Sequence, residues 1–192
     1  MKEIRLAEIR AAATADAAQD LILEGVAIVF DTPTIINDVG GSYTEVIRSG
    51  ALDNTDLSDV HLFYNHDANK VPLARTPKTM ELKQSTVGLE FRATLPNTES
   101  AREVYEAVKR GDLSGCSFAF TVPEGGDEYD PATNTRTIFK IAKLYECSVV
   151  PFPAYPQTSV EARNARSASL DNYQARQNLK RLCNKIIMKS EV

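Results

Sequence analysis

What most constrains this chain is that its apolar residues come in short, β-branched runs that turn residues keep interrupting. Leu21 to Phe30 is apolar and stops at Asp31-Thr32-Pro33, and Val60 to Tyr64 stops at Asn65-His66-Asp67. Met80 to Lys83 and Gly88 to Leu95 read as a hairpin about a polar turn at Gln84-Ser85-Thr86. Ser117 to Val122 and Ile138 to Val150 complete the set, and the Gly-, Asp-, Asn- and Pro-rich stretch from Pro123 to Thr137 between them reads as a loop or long hairpin tip. No run approaches the length needed to cross a bilayer as a helix. The expected body is therefore mostly strand.

One helix interrupts this pattern. Ala101, Val104, Tyr105 and Val108 form a single stripe at i, i+3, i+4 and i+7. Thr98 or Ser100 caps its start, with Ser100 and Glu103 spaced as a capping box, and Gly111 stops it behind Lys109 and Arg110. A short helix is also expected after Gly50. At the N-terminus Ile4 and Leu6 alternate as in a strand, whereas Ala11-Ala12-Ala13 favours helix. The end of the chain changes character. Arg166, Arg176, Lys180, Arg181, Lys185 and Lys189 face only Asp171 and Glu191, although the 192-residue chain as a whole carries a net charge of −4. We divide the chain at the small, polar stretch from Arg163 to Asp171, giving a body over residues 1–163 and a basic tail over 164–192. Within the tail, Leu179, Leu182, Cys183 and Ile186 share one helical face. That face suits docking to a scaffold or to a second subunit, which would make a homodimer.

Composition excludes several classes of function. A negative net charge leaves no nucleic-acid footprint, and the charged N-terminus lacks a signal-peptide core. Three unevenly spaced cysteines read as free thiols in a reducing compartment. The histidines and cysteines do not fall in zinc spacing, and there is no phosphate-binding loop. Asp127, Glu128 and Asp130 cluster without the ordered spacing of a calcium loop and read as solvated.

Two histidines in the whole chain mean that any imidazole base is His61 or His66. Strand alternation places His66 with Val60, Leu62 and Tyr64, and His61 with Phe63 and Asn65. His66 stands where the strand yields to a turn, either as an ordinary surface histidine or as a base within reach of a substrate. Ser117 begins a strand whose other face takes Cys116, Phe118 and Phe120. It is either a serine on a half-buried strand or a nucleophile that needs a base to take its proton. Ser114 competes with it from the preceding turn, and Cys116 and Cys147 are thiol alternatives. Glu146 lies inside an apolar strand. It either faces water from an edge or, buried, orients a histidine and stabilises its cation.

Taken in order, these segments resemble the tailed-phage (caudovirus) prohead maturation serine proteases. The resemblance runs over about residues 20 to 160 and rests on several matches. These are Gly25 to Phe30, Tyr43-Thr44-Glu45-Val46-Ile47, Gly50-Ala51-Leu52, Asn65-His66-Asp67 with Arg75-Thr76, Gly88-Leu89-Glu90-Phe91, Leu95-Pro96-Asn97-Thr98, Lys109 to Phe120, and Glu146 to Thr158. Any one of them is weak, and their order makes the set specific. The resemblance implies an α+β fold of the herpesvirus-assemblin type, a mostly antiparallel closed β-barrel with surrounding helices. It implies a serine endopeptidase with Ser117 as nucleophile, His66 as general base and Glu146 as third member, a role that related viral enzymes give to a second histidine. Ala119 departs from the family, which often has glycine there. No metal or cofactor is implied. The substrate would be the scaffolding part of the capsid precursor, and the chain itself, inside the immature phage shell in the host cytoplasm. The alternative is a non-catalytic assembly or scaffold-binding protein on the same barrel, with a cysteine hydrolase as a third reading.

Overall fold

The computed structural model describes residues 2–11, 21–38 and 41–151. Twelve strands and one helix follow in chain order: β1 (Lys2–Ala11), β2 (Leu21–Val29), β3 (Thr34–Asp38), β4 (Gly41–Ile47), β5 (His61–Tyr64), β6 (Ala74–Arg75), β7 (Met80–Gln84), β8 (Gly88–Leu95), α1 (Glu99–Arg110), β9 (Gly115–Thr121), β10 (Asp127–Asp130), β11 (Thr135–Ile138) and β12 (Lys143–Val150). Eight of the strands form one sheet in the order β6-β5-β12-β9-β1-β2-β8-β7, and the other four form a second sheet in the order β10-β11-β4-β3. Strands β5 and β12 run parallel, as do β4 and β11, and every other pairing is antiparallel.

The expected closed barrel is not formed. The large sheet ends in β6 on one side and β7 on the other, and no ladder joins these two edges. The physical reason lies in the short link between them. Pro77 has no N–H to give to a ladder. The backbone groups of the last β6 residue are spent on the turn itself: Arg75 N–H donates to Thr79 Oγ1 at 2.9 Å, and Thr79 N–H donates to the Arg75 carbonyl at 3.0 Å. The ring of surrounding helices is absent as well, since α1 is the one helix among the described residues. The fold is mostly β, in two open sheets.

Helix α1 follows its pattern closely. Its buried residues are Ala101, Val104, Tyr105 and Val108, its N-cap is Thr98, which accepts from Ala101 N–H, and Gly111 closes it in the left-handed conformation at φ 84°. The N-terminal segment settles as strand, with Lys2–Ala11 between β9 and β2. The helix expected after Gly50 is instead a run of turns, in which Ala51, Asp53 and Thr55 each donate to the carbonyl three residues back. The single strand expected over Ile138 to Val150 is two strands. Phe139 and Lys140 both donate to the Gly126 carbonyl, Ile141 to Ala51 and Ala142 to Thr121, and this crossing carries the chain from the small sheet to the large one.

The stretch from Pro123 to Thr137 is a built hairpin. Asp130 closes its turn by accepting from Ala132 N–H and the Thr133 hydroxyl. Arg136, on β11, is buried between Glu45 Oε2 at 2.9 Å and Asp127 Oδ2 at 2.7 Å. Asp127, expected to be solvated, thus belongs to a buried ion cluster that ties three strands of the small sheet together. The basic tail, its helix and the boundary at residue 163 lie outside the described residues.

The core runs through both sheets and α1. Leu62, Cys116, Phe118, Phe120, Leu144, Cys147 and Val149 supply it from β5, β9 and β12. These three adjacent strands also carry, on their opposite face, the residues singled out for chemistry.

Candidate active site

Strand pairing sets the geometry. Across β12 and β9, Ser148 stands opposite Ser117 and Glu146 opposite Ala119. Across β12 and β5, Glu146 stands beside His61 and Ser148 beside Phe63. Paired residues project to the same side of a sheet. Glu146, Ser148 and Ser117 therefore share a face.

Glu146 is on that face because of a bulge. Leu144 pairs with Phe120 and Glu146 with Ala119, so Tyr145 is an extra residue in β12. Leu144 and Glu146 are two positions apart, yet their partners are consecutive on β9 and point to opposite sides. Were Tyr145 an ordinary ladder residue rather than a bulge, the alternation that buries Leu144 in the core would send Glu146 there too. Bulges that re-aim a side chain recur beside active sites. The edge-strand reading of Glu146 fails, because β12 lies between β5 and β9 and Glu146 is 3% exposed.

His66 reaches the same face by a different device. Strand β5 ends at Tyr64, and the two residues beyond it adopt left-handed conformations, Asn65 at φ 53° and His66 at φ 57°. Asn and His are among the non-glycine residues that tolerate this region best. Asn65 N–H donates to the Val149 carbonyl at 2.9 Å, which anchors the turn to β12. Simple alternation, which grouped His66 with Leu62 and Tyr64, is thereby overturned. The left-handed pair carries the imidazole to the face of Glu146, where His66 Nδ1 lies 2.9 Å from Glu146 Oε1. An ionised carboxylate only accepts, so this contact puts the proton on Nδ1 and leaves the Nε2 lone pair free to act as a base. The side chains are 25% and 4% exposed. This partner answers the desolvation cost of a carboxylate inside a sheet.

Ser117 is 1% exposed, and its Oγ is a buried polar atom without a hydrogen-bond partner. It therefore does not bond His66, although the two are brought to one sheet face. Such contacts commonly close only when substrate arrives. A buried orphan hydroxyl is rare enough in a native fold to require an explanation.

The competing residues sit elsewhere. Ser114 is exposed, and its carbonyl accepts from Ile9 N–H. Cys116 and Cys147 are fully buried on the core side. The Cys147 thiol is pushed well above its ordinary value, first by its hydrogen bond with Cys116 and then by burial. This is the reverse of what a thiol nucleophile requires. Cys183 lies outside the described residues. His61 shares the face of Glu146 but stacks on Phe63 at 5.7 Å and leans toward Asp59 at 3.7 Å. Among the described residues no group of histidine, cysteine and carboxylate side chains is arranged to hold a metal ion, and no helix is long and apolar enough to cross a membrane.

Ser148 escaped the sequence reading. It is fully buried, accepts from His66 N–H at 3.3 Å and donates to Glu146 Oε2 at 3.3 Å. The signal was its spacing: Ser148 lies two residues from Glu146, so both share a face once the strand is recognised.

Comparison with known proteins agrees with the resemblance noted above. The family model of the caudovirus prohead serine proteases matches residues 7–175. Among solved structures, the capsid assembly protease of bacteriophage T4 is similar at 10% sequence identity with a TM-score of 0.44, over 79% of this chain and 99% of that one. No curated protein sequence matches.

Proposed function

This chain belongs to the caudovirus prohead serine protease family, and we propose that it is the endopeptidase of capsid maturation, with Ser117 as nucleophile, His66 as general base and Glu146 as the carboxylate behind the base. One observation carries the assignment. A buried serine hydroxyl with no partner shares a sheet face with an imidazole whose far nitrogen is held at 2.9 Å by a buried carboxylate. Each group supplies what the others need. A serine hydroxyl is a weak nucleophile until a base takes its proton, and imidazole does so near neutral pH. Glu146 stabilises the imidazolium that forms and holds its tautomer.

In this reading the substrate's backbone approaches β9 and its carbonyl carbon meets Ser117 Oγ. His66 Nε2 takes the hydroxyl proton as the C–O bond forms. The same proton then passes to the leaving amine as the peptide C–N bond breaks. Water then attacks the acyl carbon as His66 takes its proton, and His66 returns that proton to Ser117 Oγ as the bond from Oγ to the acyl carbon breaks. The substrate is the scaffolding segment of the capsid precursor, cut inside the immature shell. The chain also cuts itself between Arg163 and Asp171 or within the basic tail, where small polar residues and a charge break suit proteolysis.

Co-expression with the capsid precursor tests this reading. Ser117→Ala is expected to fold and to leave the precursor uncut, and to keep its own full-length mass where the wild type is trimmed. Normal precursor processing by Ser117→Ala would instead favour a non-catalytic assembly role for the chain. If wild type and variant both stay at full length while only the wild type cuts the precursor, self-cleavage alone is wrong.

A further inference from the structure

We propose that Ser148 is a positioning residue that holds the base and its carboxylate as one unit through a single hydroxyl. This rests on the reading of His66 and Glu146 given above. Ser148 Oγ meets two site residues at once. It accepts from the backbone N–H of His66 and donates its proton to Glu146 Oε2, both at 3.3 Å, while the other oxygen, Oε1, faces His66 Nδ1 at 2.9 Å. The carboxylate is thus gripped at both oxygens and loses its freedom to rotate away from the imidazole. The bond to His66 N–H acts on the other side of the same contact. That N–H belongs to a residue at φ 57°, a conformation a non-glycine side chain does not hold without support.

A buried serine is usually bonded to its own neighbouring backbone. Ser148 is different, because neither partner is its own backbone and both belong to the catalytic pair. It is fully buried, so water does not replace it. Its register opposite Ser117 puts two serine hydroxyls side by side on neighbouring strands. They are distinguished by their bonding. The proton of Ser148 is committed to Glu146, whereas Ser117 has no partner. The hydroxyl without a partner is the one available to attack, and the committed one positions.

The test compares purified wild type, Ser148→Ala, Ser148→Cys and Ser117→Ala on a capsid–scaffold substrate, with proton NMR of the His66 ring. Loss of the hydroxyl is expected to lower kcat by about 10- to 100-fold with KM unchanged, the scale of a small misplacement of a catalytic group. The low-field Nδ1 proton resonance of the His66–Glu146 contact should broaden or vanish. Ser148→Cys leaves no cavity but weakens both bonds, so it gives a reduced kcat even if Ser148→Ala does not fold. Wild-type kcat, or an unchanged Nδ1 resonance, in a folded Ser148 variant overturns the inference. The controls separate it from its premise. An inactive Ser117→Ala beside a fully active Ser148→Ala removes the role of Ser148 alone. A fully active Ser117→Ala removes Ser117 as the nucleophile, and with it the assignment of His66 and Glu146 as its catalytic pair. The resonance does not depend on turnover and still reports whether Ser148 holds the contact.

Discussion

Glu146→Gln isolates the contribution of the carboxylate's charge, because it keeps the shape of the side chain. Glu146 and His66 meet at 2.9 Å, with Glu146 almost wholly buried and the imidazole mostly so. With charge centres about 4 Å apart and an effective dielectric near 20, a unit pair gains about 4 kcal/mol. The gain belongs to the imidazolium alone, which the mechanism forms when the serine proton moves to the ring. It therefore falls on kcat rather than on KM. At about 1.4 kcal/mol per decade, kcat should fall roughly 10³-fold. A glutamine that turns its amide toward Nδ1 would also force the proton to Nε2, removing the base. Stability should change little, since a neutral amide in that site can still bond Ser148 and His66. The assay is steady-state cleavage of a purified capsid–scaffold substrate, with thermal unfolding as the control. A folded Glu146→Gln with kcat within about tenfold of wild type would refute the argument that Glu146 stabilises the imidazolium.

Further expectations follow from neighbouring features. Asn65 at φ 53° should accept glycine with kcat intact. Asn65→Val should lose about 1–2 kcal/mol of stability and most of kcat, and equal activity of both variants would mean that the left-handed turn does not aim His66. Arg136→Ala leaves Glu45 and Asp127 in a buried cluster without their guanidinium. Urea unfolding should show a loss of roughly 3–5 kcal/mol, and a loss below about 1 kcal/mol would show that the cluster is well solvated. Because Cys147 is buried and its thiol is raised, its thiolate is scarce at neutral pH. Iodoacetamide should leave Cys116 and Cys147 unmodified in the native protein and leave proteolysis unchanged, whereas inactivation with alkylation at either would restore a thiol nucleophile.

Much of this architecture is legible in the sequence, and the exceptions share a cause. Helix α1 is readable to its caps because a 3.6-residue stripe, Thr98 and Gly111 are all local signals. The strands from Leu21 and Gly88 are equally plain, because β-branched runs ended by turn residues need no distant partner. What alternation misses are single-residue departures from period two. Tyr145 is one such departure and the pair Asn65-His66 is another, and both decide on which face a catalytic candidate stands. No local pattern announces Tyr145 as a bulge, because the bulge exists only in its pairing with β9. Asn65 is a readable turn residue, but its direction depends on the carbonyl of Val149, 84 positions along the chain. The barrel expectation fails for a similar reason. Closure depends on whether the β6 and β7 edges pair, and Pro77 and Thr79 settle that in the turn between them. Arg136 reads from sequence only as part of a loop or long hairpin tip, because its partners, Glu45 and Asp127, come from separate strands.

In the proposed mechanism Ser117 attacks with help from His66. The most direct measurement is mass-spectrometric mapping of the adduct left by a serine-reactive phosphonate. A single adduct is expected on the peptide carrying Ser117 in the wild type. That adduct should be lost in Ser117→Ala and strongly slowed in His66→Ala. An adduct on Ser148 or Ser114, or labelling of Ser117 at an unchanged rate without His66, would contradict it.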